Sequence, residues 1–188
     1  MIGVTGFAIH RWRVERAFKP FLTSTLALFA LAAVCTVAKA QTKIVAIGAS
    51  NTLGWGITSE RAYPALLQAM LRERGYDVEI RNEGVSFDTT FGMLARLDTA
   101  APKGTHIVII QPGGNDRRFL ISAERRAANI DAMVARMQAR NIKAIVYDPV
   151  FEPRYFQWDK IHITAEGHVM IANTLLPQLI AAIGPRKK

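Results

Sequence analysis

The stretch Gly48-Ala49-Ser50-Asn51-Thr52-Leu53-Gly54-Trp55-Gly56 follows directly on the apolar run Lys43-Ile44-Val45-Ala46-Ile47. A short run that is apolar at consecutive positions and rich in β-branched residues reads as a strand buried on both faces. What comes next is small and polar, with glycines that permit tight turns and a serine whose neighbours leave its hydroxyl uncrowded. Such a junction either turns a corner or presents a nucleophile, and a serine taken alone suits a turn or a helix cap better.

Three further runs have the same character, at residues 76–82, 106–111 and 142–147. Between them the apolar spacing is helical. Ala62, Ala65, Leu66, Ala69 and Met70 mark a helix over 62–75 with Gly75 as its stop, and a shorter helix fits 89–97. Ser122 can cap a helix over 122–140 whose buried stripe is Ile130, Met133, Val134 and Met137. A final helix opens at Thr164 and runs through Ile171, Leu175, Leu176 and Leu179, with Pro177 expected to kink or end it. Alternation of strand and helix implies a parallel sheet with right-handed crossovers, in which ligands gather at the carboxyl ends of the strands.

If Ser50 is functional, polar residues should follow the other strands too, and they do. After the second run stand Asn82-Glu83-Gly84-Val85-Ser86-Phe87-Asp88, after the third Pro112-Gly113-Gly114-Asn115-Asp116, and after the fourth a loop leading to Asp159-Lys160-Ile161-His162. A serine hydroxyl becomes a nucleophile when an imidazole takes its proton and a carboxylate fixes the imidazole's tautomer. Asp159, three residues before His162, can reach its Nδ1 across one tight turn. The attacked carbonyl then needs preorganised donors, each worth roughly 3 kcal/mol. Backbone N–H groups of Ser50 and Gly84 and the side-chain amide of Asn115 are the candidates.

Ser50, Gly84, Asn115 and His162 stand in the order that names the SGNH hydrolases, also called the GDSL esterase and lipase family, and the chain resembles the small single-domain bacterial members. Gly48-Ala49-Ser50-Asn51 is similar to the first block of that family, residues 82–89 to the second, Gly113-Gly114-Asn115-Asp116 to the third and Asp159-x-x-His162 to the last. Each block alone is weak, but four in order, each after a strand, form a specific signal. The resemblance implies a flavodoxin-like three-layer α/β/α fold and metal-free, cofactor-free cleavage of carboxylic esters or thioesters, with Ser50 as nucleophile, His162 as base and Asp159 as its orienting acid.

Three positions depart from the pattern. Ala49 replaces the aspartate of the GDSL signature, and Phe87 stands where the second block often has glycine. Between Tyr147 and Asp159 there are eleven residues, where the family usually places a further helix and strand. The sheet is therefore expected to have four strands, with five as the alternative. Trp55, Phe87, Phe156 and Trp158 are expected to contact substrate, Trp55 being equally suited to anchor its loop in the core, with Phe151 and Tyr155 as further replacement walls.

The first forty residues read differently from the rest. Arg11, Arg13, Arg16 and Lys19 precede an apolar stretch over 21–38 that ends in Ala38-Lys39-Ala40, the order of a secretory signal peptide. Residues 1–40 are thus expected to be a leader cleaved after Ala40, and residues 41–188 the exported, periplasmic or extracellular, hydrolase domain. Cys35, the sole cysteine, lies in the leader, so the domain forms no disulfide. The leader carries five basic residues and one acidic, so +5 of the net +9 remains on the domain. That balance favours contact with anionic membrane surfaces. Its arginines are scattered and not interleaved with aromatics, which argues against nucleic acid.

No cysteine and no histidine pair at i and i+4 accompanies Asp159, His162 and His168, so a zinc site is not expected. His168 is placed on the surface of the last helix or near the site, His106 at a strand boundary, and Asp116 in a structural role. The partner is a small-molecule or lipid ester. Oligomeric state stays open, as do two rival readings: a catalytically silent domain that binds acylated or carbohydrate ligands, and an envelope protein that retains its leader as a tether.

Overall fold

A computed structural model describes residues 41–185, so the leader expected over 1–40 lies outside the described residues. Four strands, β1 (Thr42–Gly48), β2 (Val78–Gly84), β3 (Ile107–Gln111) and β4 (Lys143–Val146), form one sheet in the order β2-β1-β3-β4 with every pairing parallel. Six helices connect them: α1 (Ser50–Leu53), α2 (Tyr63–Glu73), α3 (Thr90–Ala100), α4 (Asn115–Arg118), α5 (Ala123–Ala139) and α6 (Ala165–Ile183). Of the two expected strand counts, four is the one found. No described helix is long and apolar enough to cross a membrane.

Because side chains alternate along a strand, β1 feeds two cores. Ile44 and Ala46 pack with Tyr63, Leu67 and Leu71 of α2 and with Ile171, Leu175 and Leu179 of α6. Val45 and Ile47 pack on the other face with Met93 and Leu97 of α3 and Met133 and Met137 of α5. The result is the three-layer α/β/α arrangement. Replacing Leu67, which is fully buried, by Ala should cost about 2–5 kcal/mol.

The register sets the site. Gly48 pairs with Gly84 on one side and Gln111 on the other, and Ile110 pairs with Val146. All four strands end nearly level, so the loops that follow them emerge from one edge.

Element ends follow local chemistry. Gly75, with φ 76°, closes α2, and the N–H of Tyr76 returns to the Leu71 carbonyl. Ser122 and Thr164 each accept the N–H three residues on, from Arg125 and Gly167, as helix caps. Two expectations are corrected. β2 begins and ends two residues later than its apolar pattern, because on this edge strand backbone pairing with β1 continues through polar Arg81, Asn82 and Glu83. Pro177 does not end α6, which continues to Ile183 with Leu175, Leu176 and Leu179 buried on either side of the proline.

Candidate active site

Ser50 is the first residue of α1, a single turn laid across the strand ends. Two glycines make that packing feasible. A Cβ on Gly48 would sit 2.0 Å from Thr52 Oγ1, and one on Gly84 would sit 2.1 Å from the Leu53 backbone nitrogen. Asn82 Nδ2 donates to the Thr52 carbonyl at 2.8 Å, which caps the turn, and Thr52 Oγ1 donates to Gln111 Oε1 at 2.6 Å. α1 is thereby tied to β2 and β3. No protein group among the described residues hydrogen-bonds the Ser50 hydroxyl, which borders a cleft of about 650 Å³.

His162 reaches the same edge from the segment before α6. Asn51, the residue after Ser50, grips the backbone on both sides of it: Oδ1 accepts the Ile163 N–H at 3.0 Å, and Nδ2 donates to the Ile161 carbonyl at 3.3 Å. Gln157 adds a second tie, since its Nε2 donates to the carbonyls of both Trp55 and Ile163 at 2.9 Å. The Trp55 ring stacks on the imidazole with centroids 4.0 Å apart. Asp159 Oδ2 meets His162 Nδ1 at 2.5 Å, while Oδ1 accepts the N–H groups of Ile161 and His162. The His162 N–H leads in holding the Asp159 carboxyl down to about 2, helped by the imidazole and the Ile161 N–H, while burial pulls the other way. An ionised Asp159 accepts a hydrogen bond from Nδ1–H, which leaves the lone pair on Nε2. Ser50 Oγ and His162 Nε2 share this edge without a hydrogen bond between them.

The second and third loops are braced from below. Arg96 of α3 donates to the carbonyls of Gly48 and Glu83 and pairs with Asp88 at 2.8 Å. Asp116 is buried and accepts from the N–H and hydroxyl of Thr90, which fits the structural role expected of it. Asn115 lines the cleft, and its Nδ2 donates to the Asp88 carbonyl at 2.8 Å, with its second N–H left over.

Gly84 is corrected. Its N–H donates to Asn82 Oδ1 at 2.9 Å, a Cβ on it would strike the α1 backbone, and it is not among the residues that line the cleft. Phe87, three residues on, has φ 63°, a left-handed conformation that favours glycine. Among the described residues its N–H has no hydrogen-bond partner.

Of the expected substrate contacts, Phe156 lines the cleft, alongside Phe151, Pro149 and Ile161. Trp55 lies behind His162 as a stacking partner, outside the lining. Phe87 and Trp158 are also outside it and are exposed, and Tyr155 packs near Gly167 and under Arg154. Nothing local draws Trp158 inward. The surface alternative for His168 is corrected: it is fully buried, its Nδ1 accepts the Tyr63 N–H at 3.1 Å, and Nε2 has no partner among the described residues. His106 accepts the Lys43 N–H just before β3, a boundary role. Among the described residues no three His, Cys, Asp or Glu side chains group as metal ligands.

Sequence reasoning missed Asn51, Gln157 and Arg96 as organisers. The signal for Asn51 was its place beside Ser50.

The chain resembles known proteins along most of the described length. It is 32% identical over 125 residues to Esterase TesA of Pseudomonas aeruginosa, covering 64% of this chain and 62% of that protein. It is 28% identical over 135 residues to an Arylesterase of Vibrio mimicus, covering 71% of this chain and 66% of that one. The chain thus spans under two thirds of the length of either relative. Among solved structures, that of TesA superposes with a TM-score of 0.69 at 21% identity, over 75% of this chain and 99% of that one. The lipase/acylhydrolase from Enterococcus faecalis gives 0.68 at 17% identity, over 79% and 100%. These two establish the shared fold. Residues 46–179, from the middle of β1 to the last buried leucine of α6, match the GDSL-like Lipase/Acylhydrolase family, and the chain belongs to it.

Proposed function

We propose that the protein hydrolyses carboxylic esters or thioesters through an acyl-enzyme on Ser50. The observation that supports this reading is the Asn51 clamp: the residue after Ser50, whose hydroxyl is the one that borders the cleft, bonds the backbone on both sides of His162, and the His162 ring meets Asp159. Ser50 Oγ attacks the carbonyl carbon and its proton passes to His162 Nε2. The bond to the leaving oxygen or sulfur then breaks, and the proton goes to the leaving group. Water, deprotonated by the same nitrogen, releases the acid and restores Ser50. Donors for the oxyanion are the Ser50 N–H, the free N–H of Asn115 Nδ2 and, in place of Gly84, the N–H of Phe87, whose neighbour Asp88 is already bonded to Asn115. The acyl group lies against Phe151 and Phe156, which occupy the shortened region before Asp159.

The same proposal has the leader cleaved after Ala40 and the domain exported, and N-terminal sequencing of the exported product would begin at Gln41. A second reading, a silent binding domain for acylated or carbohydrate ligands, is favoured by the unformed Ser50–His162 bond, although unliganded sites often hold that bond long. Turnover of p-nitrophenyl acetate and butyrate, with fluorophosphonate labelling of wild type against Ser50→Ala, separates the two. The hydrolase labels at Ser50 and loses at least about 10³-fold in kcat in the variant. Absent labelling with intact ligand binding supports the silent domain.

A further inference from the structure

The loops that leave the carboxyl ends of the strands carry more than a cleft. Among the described residues, most large apolar side chains open to solvent lie in these loops or in the single turn α1, among them Leu53 and Trp55 after β1, Phe87 after β2, Leu120 after β3, and Val150 and Trp158 after β4, while Phe91, Val146 and Val169 lie in α3, β4 and α6. Leu120, Val150 and Trp158 are 93%, 100% and 86% exposed. Scattered exposed hydrophobes need no explanation, but a concentration of them on one edge does.

The unpaired charge at the same mouth has one sign. The side chains of Arg117 and Lys160 border the cleft and have no ion-pair or hydrogen-bond partner among the described residues, and the Arg118 guanidinium meets only the Phe87 ring, 6.0 Å from its centroid. The carboxylates there are already taken: Asp88 by Arg96, Asp148 by Arg126, Glu152 by Arg154 and Asp159 by His162.

From this pairing of exposed apolar tips with unpaired cations, we infer that this edge docks on a bilayer containing anionic phospholipid, with the cleft facing the membrane. Leu120, Val150 and Trp158 enter the headgroup boundary while Arg117, Arg118 and Lys160 meet lipid phosphates. A second copy of the chain is the poorer occupant, because a twofold contact through this edge would bring the same cations against each other, whereas an anionic surface satisfies both features at once. The inference stands apart from ester hydrolysis, since docking requires only the surface.

The test uses residues 41–188, a unit that carries both core layers and whose fold makes up 99% of the solved TesA chain. Co-sedimentation with vesicles of phosphatidylcholine alone is compared with vesicles in which about a third is phosphatidylglycerol. Binding should be confined to the mixed vesicles, weaken as salt is raised, and blue-shift the tryptophan fluorescence. Leu120→Ser combined with Val150→Ser should weaken it about tenfold while leaving p-nitrophenyl acetate turnover unchanged, because both side chains lie outside the cleft and pack on nothing. Arg117→Ser with Arg118→Ser should weaken it by about tenfold or more. Equal binding to neutral vesicles, undiminished binding in the Leu120/Val150 variant, or wild-type dimerisation abolished by that variant would each overturn the inference. An inactive protein that still binds the mixed vesicles would sink the hydrolase reading and leave docking intact.

Discussion

Asn51 holds His162 without touching its ring: one side-chain oxygen takes the N–H of the next residue, Ile163, and the side-chain amide reaches the carbonyl of the preceding one, Ile161. The residue after the proposed nucleophile therefore fixes the height of the proposed base across a sequence separation of more than a hundred residues. Asn51→Ala should lower kcat by about 10–100-fold, since a displacement of the order of an ångström at a reacting group has that effect. It should also reduce stability by about 1–3 kcal/mol through the two lost bonds. Asn51→Asp keeps the acceptor for Ile163 and loses the donor, so its kcat should fall between the two. Ester kinetics alongside urea denaturation measure both quantities.

Gly84 offers a sharp contrast between packing and chemistry. Any side chain there meets the α1 backbone at Leu53, and backbone cannot swing aside as a side-chain end can. Gly84→Ala should destabilise the fold by about 2–4 kcal/mol and reduce activity in step with the folded fraction. A variant with an unchanged denaturation midpoint and a collapsed kcat would instead return Gly84 to the oxyanion site.

Asn115 gives one amide hydrogen to the Asp88 carbonyl, and in the proposed mechanism the other meets the developing oxyanion. Asn115→Ala should cut kcat by about 10²–10³-fold with KM little changed, because the donor acts chiefly in the transition state. A large rise in KM with kcat preserved would make it a ground-state binding residue.

What the sequence disclosed, and what it hid, divides along a physical line. Strands were readable from residues 43–47 and 106–111 because burial on two faces requires consecutive apolar residues, and Asp159 could be matched to His162 because three residues span one turn. Gln157 was silent, since its partners Trp55 and Ile163 come together only in the folded chain. Gly84 was misread because a glycine does not announce what its missing Cβ would strike. The left-handed backbone of Phe87 was hidden by a residue type that rarely adopts it. For His168 the signal was present and undervalued. Position 168 shares the helical stripe of Ile171, Ala172, Leu175 and Leu179, all buried.

That burial gives the last prediction. Desolvation lowers the pKa of His168 to about 4 from an ordinary 6.5, its Nδ1 receives the Tyr63 N–H, and among the described residues Nε2 has no hydrogen-bond partner. Above pH 6.5 the residue is neutral both folded and unfolded and contributes no pH dependence. As pH falls from 6.5 towards 4 the unfolded chain takes up the proton and the folded one does not, so stability declines through that window, by up to about 3 kcal/mol. Asp159, held down to about 2 from 3.8, stays ionised across it and adds no loss until the pH drops below 4. Urea midpoints at pH 7 and pH 4.5 should therefore diverge in the wild type and converge in His168→Gln, whose amide oxygen can still accept the Tyr63 N–H. A His168→Gln variant as acid-sensitive as the wild type would assign the loss to another group.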